Sequence, residues 1–168
     1  MSSVTEISGC LNAIAQNREH WAWGYLEEKG YWKIKHSGTM PPCEIYLELS
    51  GPSLCMQVEM GNLRVLPECR AALSFFLLRL NEDIPVVKFG MRSGGKITLM
   101  AEAVTAQLSL ATLEELLQAL IAVFVQYRRE IVLLAEDPEL AEVVMKLFAA
   151  VATSPVKIVV VKREEAAK

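Results

Sequence analysis

The sequence predicts an α+β domain in which an antiparallel sheet of about five strands packs against helices. Residues 31–60 and 86–103 alternate apolar and polar side chains with a period of two, and helical periodicity appears before, between and after them. The 168 residues, 52% of them hydrophobic, are enough to bury one core without disulfides or metals. We therefore expect a single domain over residues 1–154, followed by a short strand or solvated tail over residues 155–168.

The first element is expected to be a helix. Ser3 and Glu6 have the spacing of a capping box. Apolar residues follow at helical intervals, at Val4, Ile7, Leu11 and Ile14. The helical phase resumes at Trp21 and Tyr25, so the pattern allows one long helix or two in sequence, ending near Gly30, which suits a C-terminal cap.

Three strands are predicted between Tyr31 and Met60. In the first, Trp32 and Ile34 alternate with lysines, and the turn-rich stretches "HSGTMPP" and "SGPS" separate the three. Strands that each have one apolar face form an antiparallel meander with one solvated face. On that solvated face we expect the lysines of the first strand to pair with glutamates of its neighbours.

A second helix is predicted to follow Pro67, which suits a first helical turn. Its sequence, "ECRAALSFFLLRLN", is apolar around nearly the whole circumference, and the adjacent Phe75 and Phe76 point about 100° apart. A single sheet cannot cover such a helix. We therefore predict a homodimer with Phe75, Phe76 or Arg79 at or near the interface.

The alternative to a dimer is a monomer in which the C-terminal helix covers this face of the second helix. The residues that would do so are Val143, Val144, Leu147 and Phe148.

A β-hairpin is predicted over residues 86–103, with its turn at Ser93-Gly94-Gly95, where glycine permits positive φ. A phosphate site is not expected there, because a strand rather than a helix follows the glycines. Ser109 is a plausible N-cap of an amphipathic helix, and Asp137-Pro138 begins another. The stretch "VKIVVV" after Ser154-Pro155 is read as a possible short strand.

Charge and cysteine content exclude several classes of function. The net charge is −3 and the basic residues are scattered, which argues against binding to a nucleic-acid duplex. The first ten residues do not have the pattern of a signal peptide, and the apolar window 116–125 is too short to cross a bilayer, so we expect a cytoplasmic protein without a membrane contact.

No catalytic, metal-binding or cofactor-binding residues are predicted. The four cysteines, Cys10, Cys43, Cys55 and Cys69, are single and widely spaced. With only His20 and His36 to add, they do not make a closed metal site, and we expect reduced thiols. Neither histidine has an acidic partner at a motif spacing.

The stretch "LLRLNEDIPVVKFGMRSGGKITLMAE" resembles the YbjN-like family, whose fold is similar to that of type III secretion chaperones. A helix ending in Leu80-Asn81 leads to a strand at Lys88-Phe89, a glycine turn and a second strand ending near Glu102. The resemblance continues into "LSLATLEELLQAL" and covers roughly residues 30 to 135. It implies a non-enzymatic protein-interaction module, often paired, with a chaperone-like or regulatory role.

The aromatic residues near the N-terminus are the candidate partner-binding residues. They are Trp21, Trp23, Tyr25, Trp32 and Tyr46. Within segment 20–36 the rings are interleaved with lysines, which is also how single-stranded nucleic acid is held, so a single-strand binder is the alternative function. A third reading has the rings sealing one end of the core, and an enzyme of unknown chemistry is the last alternative.

Overall fold

The computed structural model describes residues 4–61, 63, 65–92 and 95–153, the last three of these for their backbone only. Four α-helices and six strands form its regular elements. In chain order they are α1 (Val4–Gln16), β1 (Trp21–Leu26), β2 (Tyr31–His36), β3 (Cys43–Ser50), β4 (Ser53–Glu59), α2 (Arg70–Asp83), β5 (Lys88–Met91), β6 (Ile97–Val104), α3 (Leu110–Glu136) and α4 (Pro138–Thr153). The predicted α+β class is confirmed, with six strands in place of about five.

The six strands form one antiparallel sheet in the order β1-β2-β3-β4-β6-β5. The predicted meander is present in β2, β3 and β4, and the predicted hairpin in β5 and β6. Gly95 has φ 80°, as a glycine turn requires, whereas Ser93 and Gly94 lie outside the described residues. Ser3 and the tail 154–168, with its predicted strand, also lie outside them.

The structure corrects the prediction of helix for residues 21–26, which form strand β1. Helix α1 ends at Gln16, and β1 pairs with β2 through a short turn closed by Gly30, whose φ is 70°. Trp21 and Tyr25 are four residues apart, a spacing that fits both a helical face and one side of a strand. The intervening Trp23 lies on the same side, which fits only the period of two, and aromatic residues favour strands.

The helices cover one face of the sheet and leave the other open. On the covered face, Trp32 and Ile34 are buried beneath α1 and α3, which contact each other. The buried residues of α1 are Ile7, Leu11 and Ile14, and those of the first half of α3 are Leu113, Leu117, Leu120 and Phe124. The predicted N-cap is confirmed, because the Ser109 hydroxyl accepts a hydrogen bond from the Thr112 N–H at 3.1 Å.

Helix α3 is longer than its most apolar stretch suggested. Its 27 residues are apolar enough to cross a membrane by length and composition alone. Its buried residues instead continue to Ile131, Leu134 and Ala135, and they pack against the sheet, α2 and α4. Core helices of globular proteins can have the same length and composition.

Helix α4 covers part of α2. The rings of Phe75 and Phe148 lie 5.9 Å apart between centroids. The start of α4 is fixed by Asp137, whose carboxylate accepts a hydrogen bond from the Leu140 N–H at 3.0 Å. Nevertheless Phe75 keeps 50% of its surface exposed, and Leu78 and Leu147 keep 62% each. A single chain therefore leaves part of the apolar surface of α2 uncovered.

The four cysteines are free thiols, and Cys43 and Cys69 are buried. Burial, with the neighbouring Glu44 carboxylate, raises the pKa of the Cys43 thiol to about 12. A thiol with this pKa stays protonated at neutral pH and behaves as a small apolar side chain.

Replacing Trp32 by alanine is expected to lower the free energy of unfolding by about 3–5 kcal/mol, because the ring is fully buried between α1 and the sheet. Its indole N–H donates to the Ser8 hydroxyl at 3.0 Å, so Ser8→Ala should cost only about 1 kcal/mol. Urea unfolding measures both variants. Equal losses for the two would mean that the hydrogen bond, and not the packing, dominates this contact.

Candidate functional site

The outer edge of β1 presents main-chain groups that no neighbouring strand pairs. The Ser37 N–H donates to the His20 carbonyl at 3.0 Å, which marks these two residues as a hydrogen-bonded pair. In an antiparallel ladder such pairs alternate, so Ala22, Gly24 and Leu26 bond to β2. The N–H and C=O groups of Trp23 and Tyr25 therefore point outward from the sheet.

The composition of β1 leaves this edge unprotected. Its six residues, "WAWGYL", include no charged side chain and no proline, which are common devices that block an edge. Adding a Cβ at Gly24 would meet no atom within 4 Å, so the open face of the sheet is unobstructed at this residue. A long, uncharged edge of this kind is a template for pairing with another extended chain.

The opposite edge of the sheet, at β5, is closed at Phe89. The Asn81 side chain lies against β5 and satisfies both outward groups of Phe89: its Oδ1 accepts from the Phe89 N–H at 2.7 Å, and its Nδ2 donates to the Phe89 carbonyl at 2.9 Å. The ammonium of Lys88 binds the carbonyls of Asn81 and Ile84 at 2.6 Å each. Within the described chain, β1 is thus the long free edge of the sheet.

Three of the predicted partner-binding residues lie along this edge. Trp21, Trp23 and Tyr25 are half-buried on the helix-covered side of β1, which contacts α1. The rings of Tyr25 and Trp32 are 4.9 Å apart between centroids. Side chains of a strand added beside β1 would meet these aromatic surfaces on one side and the small Ala22 and Gly24 on the other.

The other two predicted residues lie elsewhere. Trp32 is fully buried one strand further in, where it supports Tyr25 without being exposed itself. Tyr46 pairs in register with Lys33 on the open face of the sheet, opposite to the side of Trp23. The five residues therefore do not form one surface. Successive side chains of a strand point to opposite faces of the sheet, and this alternation separates them.

The open face is a solvated network of charge pairs. Lys33 Nζ lies 2.9 Å from Glu44 Oε2, and the Tyr46 hydroxyl donates to the same oxygen at 3.2 Å. The hydrogen bond from Lys33 holds the pKa of Glu44 below its usual value, and the same bond raises the pKa of Lys33. Because both side chains are about 40% exposed, we expect this pair to contribute less than about 1 kcal/mol.

A shallow hollow of about 370 Å³ lies beside this network. Tyr31 and Tyr46 form one wall, and Arg92, which is hydrogen-bonded to the Gln57 side chain, forms another. Lys29 lies 6.0 Å from the ring of Tyr31. Of the rings in segment 20–36, Tyr31 is the one that shares a face with Lys33. The rings and lysines that alternate along the sequence therefore do not form an aromatic platform lined by lysines.

The two histidines lie together beside the start of β1. His20 and His36 are neighbours, with ring centroids 6.2 Å apart, and the Nδ1 atom of His36 is buried without a hydrogen-bond partner. Among the described residues, no three histidine, cysteine or acidic side chains are grouped as metal ligands.

No protein-family model matches the sequence, and no curated protein sequence matches it. Solved structures are similar in fold. A chain of the HopA1–SchA chaperone–effector complex is 15% identical, with a TM-score of 0.53, over 73% of this chain and 93% of that one. A chain of the complex between the Yersinia pestis type III secretion chaperone SycH and a fragment of YscM2 is 16% identical, with a TM-score of 0.50, over 70% and 96%.

YbjN from E. coli is 9% identical, with a TM-score of 0.51, over 84% of this chain and 94% of its own. These likenesses confirm the predicted fold, that of the YbjN-like and type III secretion chaperone-like proteins.

Replacing Asn81 by leucine is expected to open the β5 edge and to leave the main-chain groups of Phe89 unpaired. The free energy of unfolding should fall by about 1–3 kcal/mol, and self-association should rise. Asn81→Asp is the matched control, because its carboxylate still accepts from the Phe89 N–H although it cannot donate to the carbonyl. Urea unfolding should show Asn81→Leu to be less stable than Asn81→Asp, and light scattering should show it to self-associate more. The reverse order in both measurements would show that Asn81 does not protect this edge.

Proposed function

We propose that this protein is a non-enzymatic, chaperone-like interaction module that holds an extended segment of a partner protein along the outer edge of β1. The observation that carries the proposal is the unprotected edge itself, with the main-chain groups of Trp23 and Tyr25 directed outward. Adding a strand to a free sheet edge is a common mode of peptide recognition, in which main-chain bonds give affinity and alternate side chains give specificity.

The energetics require the aromatic side chains as well as the main chain. Two outward residues offer four main-chain hydrogen bonds, which together contribute about 2–6 kcal/mol net. Micromolar affinity needs about 8 kcal/mol, before the cost of ordering the partner is added. The remainder would come from partner side chains that cover the partly exposed Trp21, Trp23 and Tyr25, since buried aromatic rings dominate interfaces.

The likeness to other proteins supports a protein as the partner. HopA1–SchA is a chaperone–effector complex, and SycH was solved with a stable fragment of YscM2. The free state of all four cysteines is consistent with a reducing compartment, and we place the protein in the cytoplasm. The likeness to YbjN keeps a regulatory role within the same proposal.

A second copy of the chain is the proposed cover for the exposed apolar surface of α2 and α4. This surface is defined by Phe75, Leu78, Val143 and Leu147, each at least half exposed. Of the residues predicted at the interface, Phe75 belongs to it directly and Phe76 packs partly into the core. Arg79 lies nearby and is paired with Glu82 at 2.7 Å.

The edge proposal is tested with Trp23→Pro, compared with Trp23→Val. Proline removes the outward N–H of residue 23 but no bond to β2, so the sheet should survive, as it does at other edge positions. Valine removes the ring and keeps the N–H. The expected partners are proteins from native lysate that the wild type retains. Trp23→Val should retain them more weakly, and Trp23→Pro should not retain them.

Amide exchange on a complex with such a partner gives the decisive measurement. The outward amides of Trp23 and Tyr25 should become protected when the partner is bound. A partner held equally by Trp23→Pro, or one that protects only amides elsewhere, would contradict the edge as the binding site. Salt-dependent binding of single-stranded oligonucleotides, with no protein partner, would favour the nucleic-acid alternative.

The dimer is tested with Leu78→Glu. Light scattering should give twice the chain mass of 18.7 kDa for the wild type and a single mass for the variant, because a carboxylate cannot be buried unpaired in an apolar interface. Val125→Glu is the matched control, since Val125 is 56% exposed on α3 and outside this surface. A monomeric wild type at micromolar concentration would mean that the cover given by α4 is sufficient.

A further inference from the structure

His20, Trp21 and His36 form a cluster where the chain enters β1 from α1. The ring of His36 lies between the other two, with its centroid 5.3 Å from that of Trp21 and 6.2 Å from that of His20, edge-on to both. Trp21 and His36 are partners in the β1–β2 register, and the His20 carbonyl accepts the Ser37 N–H. The two histidines therefore sit on the first two residue pairs between β1 and β2, His20 opposite Ser37 and His36 opposite Trp21.

The cluster is tightly packed on the side of Gly38. A Cβ at Gly38 would approach His36 Cε1 to 2.9 Å and the His20 ring to 3.1 Å. A residue larger than glycine at position 38 would therefore displace one of these rings.

His36 is poorly placed to carry a charge. Its Nδ1 is buried and has no partner among the described residues, and protonation would turn that nitrogen into a donor without an acceptor. Burial lowers the pKa of His36, and the neighbouring His20 lowers it further.

The other charged groups around the cluster do little to compensate. Arg18 lines the same hollow of about 260 Å³, and its guanidinium is bound to Glu114 of α3 at 2.6 Å. Glu19 adds a carboxylate, but it is exposed and screened by solvent. Helix α3 contributes Gln118 and Ile121, which carry no charge.

We propose that the two histidines make the β1 edge a pH-sensitive docking strand, which loosens at its N-terminal end when His36 is protonated. The docking role rests on the function proposed above, whereas the loosening does not. When the N-terminal end of β1 is paired with β2, His36 is held in its neutral form. When this end separates from β2, His36 binds a proton more readily. The stability of the pairing between β1 and β2 at this end is therefore greatest at neutral pH. It is lost as the pH falls below about 6.5, the usual pKa of a free histidine. A partner held by β1 would then be released in mild acid.

Amide exchange on the free protein tests the loosening without any partner. The inward amides of Ala22 and Gly24 report on the bonds between β1 and β2, and those of β3 and β4 serve as internal controls. Protection factors, each taken relative to the unstructured chain at the same pH, should fall for Ala22 and Gly24 between about pH 7.5 and about pH 5.5, by at most about tenfold for one proton. Those of β3 and β4 should stay within about twofold of their starting values over this range.

His36→Gln should abolish the acid loss of protection, because glutamine does not titrate. His36→Phe keeps a ring against Trp21 and gives the same test if the glutamine variant is unstable. His20→Gln should make the acid loss of protection smaller, since it removes the repulsion that helps to lower the pKa of His36 and leaves His36 titratable. Equal loss in wild type and both His36 variants, or no loss in the wild type, would overturn the proposal.

The two proposals fail separately. If exchange shows no acid loosening while Trp23→Pro still abolishes partner binding, the docking edge stands and the switch does not. If exchange shows the loosening while partners bind Trp23→Pro normally, the switch is real and the partner lies elsewhere.

Discussion

An open sheet has two edges, and each edge must satisfy, cover or expose the main-chain groups of its outer strand. In this protein, side chains satisfy outward main-chain groups at the β5 edge, whereas those at the β1 edge are left exposed. Asn81 binds the outward groups of Phe89 with a side chain that imitates a neighbouring strand, and Lys88 caps the adjacent end of α2. β1 carries no such device. The proposed docking site follows from this asymmetry.

The bulk of the fold could be predicted because each strand from β2 to β6 has one apolar and one polar face. The period of two is unambiguous where lysines and glutamates alternate with Trp32, Ile34 or Leu47. The period of two was ambiguous at β1. The residues between its aromatics are alanine and glycine, which do not indicate which face is solvated. The missing charges that obscured the strand in the sequence are the same missing charges that leave its edge open in the structure.

The candidate site was predictable in part. Aromatic density drew the sequence prediction to the segment that forms β1, where the docking edge is proposed, but grouping Trp32 and Tyr46 with it ignored the alternation of faces. With Trp32 in phase with the apolar Ile34 and Tyr46 in phase with the acidic Glu44, the sequence contained the signal that separates them. The main-chain character of the site had no such signal, because an edge is a property of strand order, and strand order depends on contacts between distant residues.

The exposed surface of α2 and α4 and the β1 edge differ in what they require of a partner. The surface of α2 and α4 is made of side chains such as Phe75 and Leu78, with every helical main-chain bond already formed, so only shape and apolar area select its cover. The β1 edge has unsatisfied N–H and C=O groups, so whatever covers it must itself be extended. A folded second copy suits the first surface and an unfolded segment suits the second. Because these lie at opposite ends of the sheet order, both can be occupied at once, and a pair of chains would offer two docking edges facing away from their shared interface.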